Sequence, residues 1–154
     1  MRYASETKVS ADKSKAEIER LLIKYGASKF MSGWQETSAI VGFEMRNRRL
    51  KFLLPLPSKN EDRFKFSPSR RKLRSEADAY RAWEQETRQR WRALALIIKA
   101  KLEAVESEIS TFDEEFMPHI VLPNGQTVAE HFIPQIEQVY QDKKMPLFLP
   151  GLKE

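Results

Sequence analysis

Cysteine is absent from this 154-residue sequence, histidine occurs twice and glycine five times. Without thiols there are no disulfides and no thiolate zinc sites, and the chain fits a reducing compartment. The longest apolar runs, such as Leu53 to Leu56 and Ala93 to Ile98, are only a few residues long. A bilayer span needs about 20. The opening Met-Arg-Tyr-Ala-Ser-Glu has no apolar core of a secretion signal, so the cytoplasm is the expected location. GxSxG, the P-loop pattern, GxGxxG and any recognised metal-ligand spacing are also missing, and no catalytic residue, metal or cofactor is read from the chain. Its length suits one domain, residues 1–154, that buries about two-thirds of its unfolded surface.

A further absence is local. Residues 102–142 hold 9 acidic side chains and no Lys or Arg, a net −9. The preceding stretch, residues 63–101, holds 12 basic and 4 acidic, a net +8. The whole-chain value of +5 hides this division. Such asymmetry implies either a polyanionic partner or head-to-tail contact between copies.

What is present predicts an α+β domain. Ser14-Lys-Ala-Glu17 reads as a capping box, followed by Ile18, Leu21, Leu22 and Tyr25 on one helical face and a Gly26 stop. A helix from Ser14 to Tyr25 follows. Residues 1–11 read as an extended arm or short strand. Lys29 to Gln35 is expected to be a strand. From Ala39 and from Arg49 apolar residues recur with period two, giving two more strands joined by a tight tip at Arg46-Asn47-Arg48. Pro55 and Pro57 end the third. Residues 58–74 form a basic, mobile loop with room for a short strand at Arg63 to Phe66. Ser75 opens the longest element, in which Tyr80, Trp83, Thr87, Trp91, Leu94, Ile98, Leu102, Val105 and Ile109 step by three or four. About 34 residues make a rod of roughly 50 Å. Strands of about 20 Å cannot cover it, so the far stripe at Leu102, Val105 and Ile109 calls for the C-terminal helix or another subunit. Pro123-Asn124-Gly125 turns a small hairpin. Thr127 to Glu130 caps a final helix that Pro134 should kink or delay, and an apolar, proline-bounded tail, residues 145–151, is expected to dock on the body.

Five constellations carry chemistry. The loop brings Arg63, Lys65, Arg70, Arg71, Lys72 and Arg74 together with Phe64 and Phe66. Guanidinium forks suit phosphates and aromatic faces suit unpaired bases, whereas a solvated loop with both rings tucked inside needs no ligand. On the long helix Arg81, Arg88, Arg92 and Lys99 fall within roughly 20° of one line, at about 100° per residue. That line fits a phosphate backbone or, equally, acidic neighbours such as Glu84. The tip cations Arg46, Arg48, Arg49 and Lys51 fit an edge that resists aggregation better than a groove reader. Asp113, Glu114, Glu115, His119 and His131 fit a solvated acidic patch better than a metal site. Of the trio Trp34, Trp83 and Trp91, Trp83 and Trp91 lie on the apolar side of the long helix and read as core against the sheet, not as base-stacking platforms.

Glu17 to Ala27 (EIERLLIKYGA), Trp91 to Glu106 (WRALALIIKAKLEAVE) and Ile120 to Val128 (IVLPNGQTV) resemble a family of small uncharacterised phage and prophage proteins. That resemblance implies a phage setting, in which small basic proteins serve DNA metabolism or counter host defences. The order of helix, three-stranded meander and long basic helix is similar to the core of single-strand annealing recombinases, which implies rings that hold DNA in a basic groove. The favoured expectation is a nucleic-acid-binding protein, single-stranded DNA first, acting as a homo-oligomer. Its contacts would be Arg63, Phe64, Lys65, Phe66, Arg70, Arg71, Lys72, Arg74, Arg81, Arg88, Arg92 and Lys99. A module that binds and inhibits a host protein is the alternative, and a metal-dependent nuclease ranks third.

Overall fold

The meander forms where period-two alternation runs through the sequence. In a computed structural model that describes residues 2–69 and 72–144, β1 (Lys29–Gln35), β2 (Ser38–Met45) and β3 (Arg48–Pro55) form one antiparallel sheet in the order β1-β2-β3. Arg70, Arg71 and the tail 145–151 lie outside the described residues. Met45 pairs with Arg48, so Arg46 and Asn47 are the two central residues of the turn, at φ 49° and 59°. Two consecutive positive φ values match the type I′ turn that suits strand twist. Across β2 and β3 the register sets Phe43 opposite Leu50, Val41 opposite Phe52 and Ala39 opposite Leu54. All six are buried, with Met45, on one face of the sheet. Phe43 and Phe52 stack at 6.2 Å, and Phe116 meets both edge-on at 6.3 Å.

The inner face rests on the remaining helices. α1 (Ala11–Lys24) begins one turn earlier than Ser14. Ser10, not Ser14, accepts the Lys13 N–H as cap. Ser14 is buried inside the helix, its hydroxyl without a hydrogen-bond partner among the described residues. The Ser14–Glu17 pattern misleads because Glu17 is engaged elsewhere, with Arg92 of the long helix. Gly26, at φ 98°, closes α1 as expected, with bonds from Gly26 N–H to the Ile23 carbonyl and from Ala27 N–H to that of Leu22.

In place of a strand at Arg63 to Phe66, the loop holds a single helical turn, α2 (Asp62–Lys65), and then a bridge between Phe66 and Leu73. α3 (Glu76–Glu106) starts from the Ser75 cap as predicted and runs 31 residues, about 46 Å. It stops short of Ile109 because Glu108 adopts φ 57°, where a glycine is usual. Glu108 N–H bonds the Val105 carbonyl and Ile109 N–H that of Ala104, a Schellman closure that no glycine announces. Ile109 is left exposed. The C-terminal helix, none of whose residues is buried, does not supply the cover of the far stripe within the chain. Two short elements, α4 (Phe112–Phe116) and a 3-10 turn (Met117–His119), fold back so that Leu102, Phe112 and Phe116 join the core. Each large apolar side chain buried this way contributes about 1.5–3 kcal/mol.

The chain then runs along the β3 edge, with a bridge from Leu50 to Ile120 and the small hairpin bridge Val121–Thr127 around Gly125. α5 (Val128–Asp142) carries the predicted capping box, Thr127 with Glu130. It passes through Pro134 rather than breaking there, and none of its residues is buried. At the other end the N-terminal arm lies on α3. Gln85 donates to the Ser5 and Thr7 carbonyls, Gln89 to that of Tyr3, and Arg2 reaches Glu86 at 2.7 Å. No helix among the described residues is long and apolar enough to cross a membrane.

Two stability predictions follow from these caps and clamps. Ser10→Ala should lower stability by about 1 kcal/mol, as loss of a cap does. Ser14→Ala should be neutral or stabilising by a few tenths of a kcal/mol, because it removes an unsatisfied hydroxyl from a helix interior. Urea midpoints of the two variants would reverse that order if the cap were at Ser14. Glu86 collects Arg2, Arg63 and Arg90. Burial alone would raise its carboxyl, but the three guanidinium groups outweigh burial and hold it below the usual carboxylate range. A depressed folded value adds stability above the unfolded value, near pH 4.3, and loses it as pH falls through the folded one. Glu86→Gln should cost about 1–3 kcal/mol at pH 7, with the difference from the parent shrinking in acid. Denaturation at pH 7 and pH 3 checks both parts.

Candidate functional site

The line of cations on α3 does not form an open track. Arg81 is exposed and pairs with Asp78 at 3.4 Å, one turn away. Arg88 is half-buried, pairs with Glu84 at 3.9 Å and donates to Gln85, while its Nε is buried without a partner among the described residues. Arg92 is half-buried against Glu17 of α1. Lys99 is exposed and ion-pairs with no described residue. The ends of the line face solvent, and its middle sits in the seam between α3 and α1.

The basic loop is also partly neutralised. Arg63 pairs with Glu61 and Glu86, and Lys65 with Asp62 at 3.5 Å. Phe64, expected to stack on a base, is only 5% exposed and lies beneath the Arg63 guanidinium at 4.6 Å. Phe66 remains exposed. Arg74 donates to the Phe64 carbonyl at 3.4 Å, and Lys72 is exposed.

The acidic third closes over cations of the same chain. Asp113 pairs with Arg48 at 3.3 Å, Glu130 with Lys51 at 3.5 Å and Glu115 with Lys101 at 3.6 Å, while Arg46 lies 5.3 Å from the Phe112 ring. His119 stacks on Phe52 at 3.8 Å. Burial first, then Lys101, lowers its pKa below the ordinary histidine value. Among the described residues no group of three His, Asp or Glu could hold a metal ion.

A different site emerges where β1, the segment after β3, α1 and the first half of α3 meet. All three tryptophans line one groove of about 450 Å³. Trp91 forms its floor and belongs to the core. Trp83, expected in the core, is only half-buried, because its indole N–H is drawn to the Pro57 carbonyl at 2.8 Å, which fixes the ring. Tyr80 lies 5.4 Å from Trp83, tilted by 45°. Trp34, at the end of β1, is 78% exposed. Lys59 stands 4.6 Å from the Trp83 ring and 5.4 Å from Tyr80, and Lys15 stands 4.9 Å from Trp91. Glu36 lies on the same rim, and Lys15 is shared with the exposed Asp12 at 3.7 Å. Fixed aromatic faces beside mobile ammonium groups can take a flat ring that carries, or adjoins, an anion. Sequence spacing does not reveal this groove, because its parts come from residues near 15, 34, 59 and 83. The one available signal is that the chain's three tryptophans include one outside the helix.

No protein-family model matches the chain, and no match is found among curated proteins or solved structures.

The Arg92–Glu17 contact gives a test of the seam. Arg92→Glu should destabilise by about 1–2 kcal/mol, since it sets two acids together at a half-buried position. Adding Glu17→Arg should recover much of that loss. A double-mutant cycle on thermal or urea unfolding measures the coupling, and a zero coupling energy would leave Arg92 free for a ligand.

Proposed function

We propose that this protein binds single-stranded nucleic acid, with the tryptophan groove as the place where bases stack. The observation that carries the reading is the exposed Trp34 in one groove with Trp83, whose ring is paired with Tyr80 and has Lys59 beside it. Single-strand binders combine stacking platforms with cations that follow the backbone, and each stacked base is worth about 1–3 kcal/mol. Cations that ion-pair with no described residue, Lys59, Lys72 and Lys99, supply phosphate contacts along with the exposed Arg81. Arg70 and Arg71 belong to the same proposal by their place in the loop sequence. Arg88 and Arg92 contribute less than their alignment implied, because their charge is matched within the chain. We further propose, as the resemblance to phage and prophage proteins implies, that such binding serves recombination or replication of phage DNA in a host cytoplasm. Several copies acting together would hold one strand across several grooves.

Trp34→Ala should weaken binding of a labelled oligothymidine about 5- to 150-fold, the range of one lost stacking contact, and leave the fold intact because the side chain is exposed. Lys59→Glu should weaken it further and reduce the salt slope, which is about −0.7 per phosphate contact for single strands. Fluorescence anisotropy across a salt titration reads both effects. Binding that does not respond to either substitution, or no binding at low salt, overturns the reading and leaves the groove to a protein ligand.

A further inference from the structure

The two edges of the sheet are unlike. On β3 the outward backbone groups find partners: the Arg49 carbonyl accepts the Val121 N–H at 2.8 Å, Ile120 bridges Leu50, and Arg90 reaches the Pro55 carbonyl at 3.2 Å. Arg49, Lys51 and Pro55 also stand on that strand, and cations and proline are what keep an edge from pairing with another chain. β1 is the reverse. Among the described residues it pairs with β2 alone, and all of it but Phe30 is exposed. It holds no proline and one charge, Lys29 at its first position, which is shared with Glu44. Register tells which of its backbone groups are open, because facing residues of an antiparallel pair alternate between bonded and unbonded. Gln35 faces Ser38 across a two-residue turn and closes it as a bonded pair. Gln35, Gly33, Met31 and Lys29 therefore turn to β2. Phe30, Ser32 and Trp34 turn their N–H and carbonyl groups outward, and none of these bonds a loop or helix backbone group among the described residues. Gly33 points the same way. Its φ is not positive, and a Cβ there would meet nothing within 4 Å. Glycine inside a strand weakens it and marks the close approach of another chain or a ligand, and nothing in this chain approaches.

We infer that β1 pairs with β1 of a second copy, antiparallel about a twofold axis at Ser32, and joins the two three-stranded sheets into one. Centring on Ser32 opposes the whole strand: Phe30 to Trp34, Met31 to Gly33 and Lys29 to Gln35. The outward groups of Phe30, Ser32 and Trp34 then bond their counterparts, as the alternation of the ladder requires. Met31 of each copy fills the space beside Gly33 of the other. Lys29 meets a neutral amide, so no like charges oppose each other. On the inner face Ser32 and Trp34 are exposed, so the helices stop short of β1 and leave room for the second copy. Phe30 of that copy stands beside Trp34 and adds an aromatic side chain to the tryptophan groove. Such a contact is closed by its twofold axis, unlike the head-to-tail one that the charge asymmetry implied. It follows from the strand edge and stands whatever the groove binds.

The lack of native cysteine allows a direct test of the register. Ser32→Cys sets two thiols across the axis, with Cα atoms about 5.5 Å apart, within disulfide reach. Gln35→Cys sets them about 20 Å apart. Mild oxidation should link the first variant into a dimer and leave the second unlinked. Sedimentation of the parent should show a dimer that is lost in Ser32→Pro and in Gly33→Val, with circular dichroism unchanged. Proline removes an N–H that only the second copy uses. Valine fits the open space of the single chain but collides with Met31 of the other. If Ser32→Pro unfolds the sheet, Gly33→Val decides alone. Hydrogen exchange at the Phe30, Ser32 and Trp34 amides should slow as protein concentration rises. A monomer at every concentration overturns the inference, as does a dimer indifferent to Gly33→Val or equal linking at positions 32 and 35. Slow exchange at those amides that does not depend on concentration also overturns it, because a segment of the same chain then occupies the edge.

Discussion

The structure depends on covering one apolar stripe along a helix about 46 Å long. A sheet of short strands cannot do it alone. α3 is covered in sections by segments far apart in sequence: Ile18 and Leu22 of α1, the inner sheet face, and Phe112 and Phe116 of α4. Each section carries a charged or polar tie as well. Glu17 reaches Arg92, Tyr25 reaches Glu103 at 2.9 Å, Glu115 reaches Lys101, and the N-terminal arm reaches Glu86. Exposed pairs of this sort add little stability individually. They select among the ways an apolar stripe can be covered, because a shifted docking would leave half-buried Arg92 without its acid.

That requirement changes the meaning of the charge asymmetry. In one dimension a basic stretch followed by an acidic one looks like two binding surfaces. In three dimensions the acidic third returns past the β2–β3 turn and the end of α3, so Asp113, Glu115 and Glu130 meet Arg48, Lys101 and Lys51. Much of the separation along the chain is therefore cancelled inside the fold. What is left is smaller and more localised, chiefly scattered cations near the tryptophan groove.

The parts legible in the sequence were those specified by neighbouring residues. Helix α1, the three strands, the Ser75 cap, the Thr127 capping box and the Gly26 stop all depend on patterns a few residues long, and the α+β architecture came out as read. The errors share a cause. Ser14-x-x-Glu17 satisfies the capping pattern, but Ser10 caps the helix one turn earlier with Lys13, not an acid, at the third position, and the core claims Ser14. Glu108 takes the left-handed conformation without being glycine, so the end of α3 was read three residues late. The Arg81–Lys99 line is correct as an angle on a helix wheel. Its middle is closed by Glu17, 75 residues away, and angle alone cannot include that neighbour.

The same logic separates the two aromatic sets. Phe64 and Phe66 are two residues apart and looked like a pair, yet a single helical turn sends Phe64 inward and leaves Phe66 outside. The tryptophans are distant in sequence and looked unrelated, but strand register and the Pro57 carbonyl bring them together. Trp34 sits opposite Ala39, on the inner side of the sheet, at the end where the core runs out. A large ring at that position has no interior to enter, so it overhangs the α3 face that carries Trp83. An exposed indole there adds nothing to core packing and leaves apolar area in water. That cost, set beside a neighbouring indole already fixed by its own hydrogen bond, is what favours a ligand-binding role for this groove over the neutralised stripe.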